Sequence, residues 1–217
     1  MAILKNGAWQ GMTGEVSIYQ RMGKTVSRSK PKTKKKITPA FAVAQQQFVY
    51  VGNLVRKMKK AIDIGFKDFD AKRAPYNVAI SINTNKYKLA RQNNKTDNLS
   101  WFEISKGELS NAASVTASID QEGFFNIAWE GTEEWKFNHE NDTLVVVVYN
   151  QSKDSAMVHL TTCKRSDQSA KIPCEQCSES DVLELFIFFR VHLFRYVNGG
   201  TANVSNSQWI GQFTIES

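Results

Sequence analysis

Residues 182–196 constrain this chain more than any other run, because Leu183, Leu185, Ile187, Phe189, Val191 and Leu193 recur with a period of two. Successive side chains of an extended strand point to opposite faces, so this row belongs to a strand with that face set in a core. Glu184, Arg190 and His192 share the other parity with Phe186 and Phe188, which marks the second face as the more polar one. The same period governs the rest of the second half. Residues 114–119 alternate, Gly123 supplies a turn, and residues 124–129 form a second strand rich in aromatic side chains. Residues 143–149 are apolar on both parities, as expected of a central strand covered on each side. Residues 155–162 and 169–172 read as shorter strands, Asn198-Gly199-Gly200 turns the chain, and residues 209–215 close the series.

Seven strands with turns at intervals of roughly 8–12 residues, and no helix-length segment between them, point to an antiparallel β-sandwich rather than a barrel or a parallel sheet. Their order resembles the fibronectin type III or immunoglobulin-like arrangement. The expected fold class is therefore mainly β, a C-terminal seven-strand sandwich preceded by an N-terminal hairpin and one or two helices. The expected divisions are a basic hairpin and arm at 1–37, a helical region at 38–98 and the sandwich at 99–217. With 217 residues, 41 % of them hydrophobic, there is enough apolar material for a core of that size.

The first third reads differently. Val16 and Ile18 alternate with Ser17 and Tyr19, Met22-Gly23 supplies turn chemistry, and the chain returns through Val26, so a hairpin is expected. Two strands bury too little to stand alone, which makes this hairpin a docking element. The run 28–36 carries Arg28, Lys30, Lys32, Lys34, Lys35 and Lys36, with Pro31 excluding a regular helix, and reads as an exposed cationic arm. Thr38-Pro39 then gives an N-cap followed by Pro in the first turn. Phe41, Ala44, Phe48, Val51, Val55, Met58 and Ile62 follow at spacings of three and four, one apolar face of a helix ending near Gly65. That seam fits either a helix docked on its own sandwich or a coiled coil. Pro75 opens either a second helix or, through residues 78–82, a strand. The polar run 91–98 makes a boundary.

Several of these landmarks occur together in one known family. Residues 4–7, 14–16, 21–28, 38–40, 64–66 and 75–79 resemble, in order, those of an uncharacterised Bacteroidota family, a domain of unknown function of about this length, and Val204-Ser205-Asn206-Ser207 resembles its C-terminal signature. The family has Gln-Arg early in the first helix where this chain has Gln45-Gln46-Gln47, and the segment from Cys163 to Cys177 is not part of the likeness. The resemblance implies a protein of this architecture from a bacterium or one of its phages, and brings no activity with it.

Chemistry is sparse. His159, Cys163, Cys174 and Cys177 are ligand types that zinc prefers, and Cys174-Glu175-Gln176-Cys177 has the spacing of half a zinc knuckle, but a single CxxC is more often a pair of ordinary thiols. His139, His159 and His192 are the only histidines, and no nucleophile elbow, metalloprotease helix or phosphate-cradling glycine loop occurs. An enzyme is therefore not expected. A net charge of +7 favours acidic partners, and the arm suits sequence-independent contact with phosphates, because no aromatic residues interleave with it for base stacking. The first expectation is a structural or interaction protein that self-associates or joins a larger assembly, such as a virion or filament, through its N-terminal segment. Val16, Ile18, Tyr19 and Val26 are its assembly residues. The alternative is a nucleic-acid binder. The N-terminus lacks the apolar core of a Sec signal and no run is long enough to insert in a membrane, which suggests the cytoplasm or a virion.

Overall fold

The computed structural model describes residues 2–5, 7–21, 23–29, 37–70, 72–120, 123–131, 140–175, 177–191 and 203–215. Lys30, Lys32, Lys34, Lys35 and Lys36 of the arm, His139, His192 and the Asn198-Gly199-Gly200 turn lie outside the described residues. The chain divides into two compact units, residues 1–42 and 43–217. It is mainly β, with three antiparallel sheets and three helices where the sequence suggested one or two.

The first unit is a four-stranded meander of β1 (Ala2–Lys5), β2 (Ala8–Thr13), β3 (Val16–Arg21) and β4 (Lys24–Ser29), paired in that order. The expected hairpin is β3–β4, with Val16 opposite Ser29 and Tyr19 opposite Val26. Gly14 lies in the turn before the hairpin and Gly23 in the turn that joins its strands, at φ of 59° and 74°, a region that L side chains enter only with strain. The hairpin is thus half of a larger sheet. The other half has no signature in the sequence, because AWQGMT, broken by Gly11, carries no clean alternation.

Helix α1 (Pro39–Lys57) starts at the end of the first unit, where Thr38 Oγ1 accepts the Phe41 N–H at 3.2 Å, and continues in the second. The helix breaks at Met58 and resumes as α2 (Lys59–Gly65), and α3 (Pro75–Gln92) follows with Pro75 in its first turn. Residues 78–82 are therefore helical. Val78, Ala79, Asn83 and Ala90 fall on the buried side of α3, and tertiary burial decides between two local conformations that β-branched residues tolerate about equally.

Seven strands follow: β5 (Thr116–Ile119), β6 (Phe124–Ala128), β7 (Thr143–Asn150), β8 (Ser155–Lys164), β9 (Ser169–Pro173), β10 (Val182–Arg190) and β11 (Gln208–Thr214). They pair as a four-stranded sheet, β11-β10-β7-β8, and a three-stranded sheet, β5-β6-β9. Leu144, Val146, Val148, Leu183, Leu185, Ile187 and Phe189 share one core with Phe125 and Ile127 of β6 and Ala170 and Ile172 of β9. The opposite face of the four-stranded sheet carries Val145, Val147, Tyr149, Phe186 and Phe188, packed with Val51, Val55, Met58, Ile62 and Val78 of the helices. The four-stranded sheet is thus buried on both sides. This corrects the reading of the Glu184 parity as the more polar, open face: Glu184, Phe186 and Phe188 are each fully buried.

A clasp near the C-terminus ties the layers together. Ser205 Oγ accepts the Phe189 N–H at 2.9 Å, Ser105 Oγ donates to the Ser205 carbonyl at 2.8 Å, and Ser207 Oγ accepts the Ile104 N–H at 2.9 Å. Asn206 Oδ1 takes the Gly107 N–H and Asn203 Nδ2 donates to Asp68. The Val204-Ser205-Asn206-Ser207 segment is therefore structural, stitching the loop after α3 to β10. Its close approach requires glycine at 107, where a Cβ would stand 2.0 Å from the Val204 carbonyl oxygen. Gly107→Ala is expected to destabilise the fold by about 1–3 kcal/mol in urea titration, the usual cost of overpacking a tight site.

Candidate functional site

The feature that sets this molecule apart is the surface of its first fifty residues. Thirteen large apolar side chains are exposed among the described residues, and eleven of them precede Val51: Ile3, Trp9, Met12, Val16, Tyr19, Ile37, Phe41, Val43, Phe48, Val49 and Tyr50. No residue before Val51 whose side chain is described is buried. Scattered exposed apolar groups are ordinary, but this concentration on one segment is the mark of an interaction surface.

The heptad-like seam of α1 explains part of it. Val51, Val55, Met58 and Ile62 are fully buried, as the spacing predicts. Phe41, Ala44 and Phe48, on the same stripe, are exposed, with Phe41 at 59 % and Phe48 at 52 %. The stripe is docked on the chain's own core over its second half and bare over its first. Between Ile37 and Val55 there is also no charged side chain, unusual for helix surface that faces water.

Charge is distributed just as unevenly. From Val16 to Ile62 the chain carries twelve Lys and Arg and no Asp or Glu, so the remainder is net acidic by five charges. Of the arm residues named from sequence, Arg28 lies exposed on β4. Of the assembly residues, Val16 and Tyr19 are exposed and Ile18 and Val26 half-buried. Among the basic residues of the helices, Lys57 pairs with Asp154 at 2.9 Å and Lys59 with Asp63. Lys60 is exposed.

The candidate zinc ligands come out differently. Cys174 and Cys177 are joined to each other as a disulfide, so neither sulfur is available as a thiolate ligand. Cys163 is a free thiol on β8, packed with the disulfide against the same core. His159 on β8 has no hydrogen-bond partner at Nε2, and burial, with the Lys60 charge, lowers its pKa against the pull of Glu175. Among the described residues no three or more His, Cys, Asp or Glu side chains gather as a metal site. Thiol titration with an aromatic disulfide reagent under denaturing, non-reducing conditions is expected to find only Cys163, and full reduction to add Cys174 and Cys177.

Two buried polar networks were not legible in the sequence. Glu184 Oε1 accepts from the Leu99 N–H at 3.3 Å, Gln151 Nε2 at 2.6 Å and Gln212 Nε2 at 3.1 Å, while Oε2 accepts from Trp209 Nε1 at 2.6 Å. Burial raises its pKa and outweighs the four donors, which pull the other way. Burial, with the hydrogen bond that Tyr149 donates to Asp154 at 2.8 Å, raises the Tyr149 phenol. Elsewhere Arg165 pairs with Asp142 at 3.5 Å, donates to the Ser110 carbonyl at 2.7 Å and lies 4.0 Å over the Phe189 ring. Trp129 Nε1 donates to the Arg165 carbonyl. Both networks hold elements together.

Fold and surface together define a mainly β protein with an apolar, cationic N-terminal segment. The chain belongs to a family of unknown function, DUF6266, whose model matches residues 5–211. The match begins inside the first sheet, takes in the exposed half of α1 and ends in β11. No curated protein matches the chain. No helix among the described residues is long and apolar enough to cross a membrane.

Proposed function

We propose that this protein is a non-catalytic structural or interaction protein that self-associates or docks on a larger assembly, a virion or filament among them, through its N-terminal segment. The observation that carries this reading is the concentration of exposed apolar side chains before Val51. A four-stranded sheet without a buried side chain among those described gains too little from its own packing to be a finished element, and three bare turns of α1 continue a stripe that is core further along. The two C-terminal sheets serve as the support, a seven-strand sandwich of fibronectin or immunoglobulin type in a protein of bacterial or phage origin. Between cytoplasm and virion, the Cys174–Cys177 bond favours the virion or another oxidising setting, because cytosolic thiols are kept reduced.

Sedimentation of the full chain against a variant lacking residues 1–42 tests the proposal. Concentration-dependent association that disappears with the deletion is the expected result, and an association state indifferent to the deletion overturns it. A second reading, sequence-independent nucleic-acid binding, draws on the twelve cations between Val16 and Ile62, a run that contains no Asp or Glu. It requires affinity for any duplex to fall steeply as salt is raised, since phosphate contacts release counterions. A flat salt dependence removes it.

A further inference from the structure

The register of the N-terminal sheet separates its residues into two unlike faces. Paired residues in an antiparallel sheet share a face, and neighbours along a strand alternate. Gly11 lies opposite Ile18 and Thr13 opposite Val16; Ile18 in turn lies opposite Ser27, and Gln20 opposite Thr25. Trp9, Val16 and Ile18 therefore project from one face, with Gly11, Thr13, Gln20, Thr25, Ser27 and Ser29 around them. The Gln20 amide donates to Thr25 Oγ1 across the strands of this face at 2.6 Å. Arg21, Lys24 and Arg28 fall on the other face, with Ile3, Met12, Tyr19 and Val26. Not one charged residue of the described side chains in these strands falls on the Trp9 face.

We infer that the uncharged face, centred on Trp9, Val16 and Ile18, packs against the same face of a second copy of this chain. This rests on the assembly reading above and specifies its contact. Electrostatics picks the face on which two copies meet. Cationic faces brought together would set Arg21, Lys24 and Arg28 of two molecules against one another. With the uncharged faces together, those cations lie on the outside of a two-layer stack. Stacked sheets sit about 10 Å apart, so the two sets of charges are separated by more than the Debye length of about 8 Å at physiological salt. A twofold contact needs a self-complementary patch, which an uncharged surface of one Trp, two β-branched residues and small hydroxyl side chains provides. Trp9 is 57 % exposed and Val16 36 % exposed, so the apolar surface to be covered is present.

Four strands of up to six residues span on the order of 400 Å² of face. The pair then buries about 800 Å², less than the roughly 1,200 Å² of stable specific interfaces. Association through this face alone is accordingly weak and concentration-dependent.

Sedimentation velocity of the full-length protein over roughly 1 µM to 1 mM reads this directly. Trp9→Lys and Ile18→Lys are expected to weaken association at least tenfold, and Met12→Lys and Tyr19→Lys, on the opposite face, less than twofold. Raising salt from about 0.05 to 0.5 M should leave the wild-type association unchanged or strengthen it, because only repulsion is screened. In a Cys163→Ser background, Ser27→Cys is expected to give cross-linked dimers with a bis-maleimide about 10 Å long and Arg28→Cys, its neighbour on the other face, none. The circular dichroism of each variant checks that it is folded, and the cross-link needs no charge in the sheet. A monomer at every concentration overturns the inference, as do equal effects on both faces or association that appears only on adding heparin. If deletion of residues 1–42 abolishes association while Trp9→Lys and Ile18→Lys leave it intact, the assembly reading stands and this face is not its contact.

Discussion

Replacing Glu184 by Ala is expected to cost about 3–5 kcal/mol of folding stability, the range for breaking a buried charged network by removing one partner. Four donors lose their acceptor at once: the Leu99 N–H after α3, Gln151 at the β7–β8 turn, and Trp209 and Gln212 on β11. Each orphaned buried donor costs about 1–3 kcal/mol, offset in part because the carboxylate no longer has to be desolvated. Glu184→Gln separates these effects. Its carbonyl oxygen can serve the three donors at the Oε1 position, but its amide then meets the Trp209 N–H donor to donor. A smaller loss, about 1–3 kcal/mol, is expected from urea titration.

Its pH dependence has a definite sign. Burial raises the folded-state pKa of Glu184 above its ordinary value of about 4.5, so in that window the folded state binds the proton more tightly than the unfolded chain. Stability from this group is therefore fully present below about 4.5 and is lost as pH rises through the folded value. Asp120, held down to about 2 by the Phe124 N–H first and then by Lys171 and Asn126, works in the opposite sense, losing its contribution as pH falls. The difference between wild type and Glu184→Gln cancels Asp120 and the other surface carboxylates. That difference is expected to shrink as pH rises from 4.5 towards neutrality. A difference independent of pH would show that Glu184 is ionised equally easily in both states.

The sequence made the strands visible where a local pattern sufficed. Strand β10 was legible because its core row alternates over its whole length, and β7 because Val145 to Val148 leave neither parity polar. Glu184 misled because charge in an alternating strand signals an open face. The groups that make its burial tolerable come from 25 to 85 residues away and leave no local trace. The α1 seam shows the complementary limit. Its period announced which side is apolar, correctly from Val51 to Ile62, but periodicity carries no information on what covers that side, and Phe41 and Phe48 are bare. The first sheet needed its partners to be recognised: β1 has four residues and β2 an internal glycine, and neither has a pattern apart from the strand it pairs with.

Arg165→Met should be nearly as damaging as Glu184→Ala, at about 3–5 kcal/mol, because it removes the buried guanidinium, which also lies over the Phe189 ring, and leaves only an apolar side chain in its place. Arg165 and Asp142 are 5 % and 2 % exposed, so water cannot replace the lost guanidinium. The Ser110 carbonyl loses its donor and Asp142 its cation. The segment around Ser110 and Asn111 leads into β5, and the guanidinium holds it to the end of β8. Amide exchange is therefore expected to quicken at Ala112 and its neighbours more than in β7 or β10. Coupling to Asp142→Asn gives the decisive measurement. If the ion pair sets the cost, neutralising Asp142 first removes the charge that Arg165→Met would strand, and the double variant should be more stable than the sum of single losses by about 0.5–3 kcal/mol. Additive losses would mean that the pair, at 3.5 Å, contributes little beyond what Arg165 does through the Ser110 carbonyl and the Phe189 ring. The protein would then be held at this corner by a hydrogen bond and a stacked cation rather than by opposite charges.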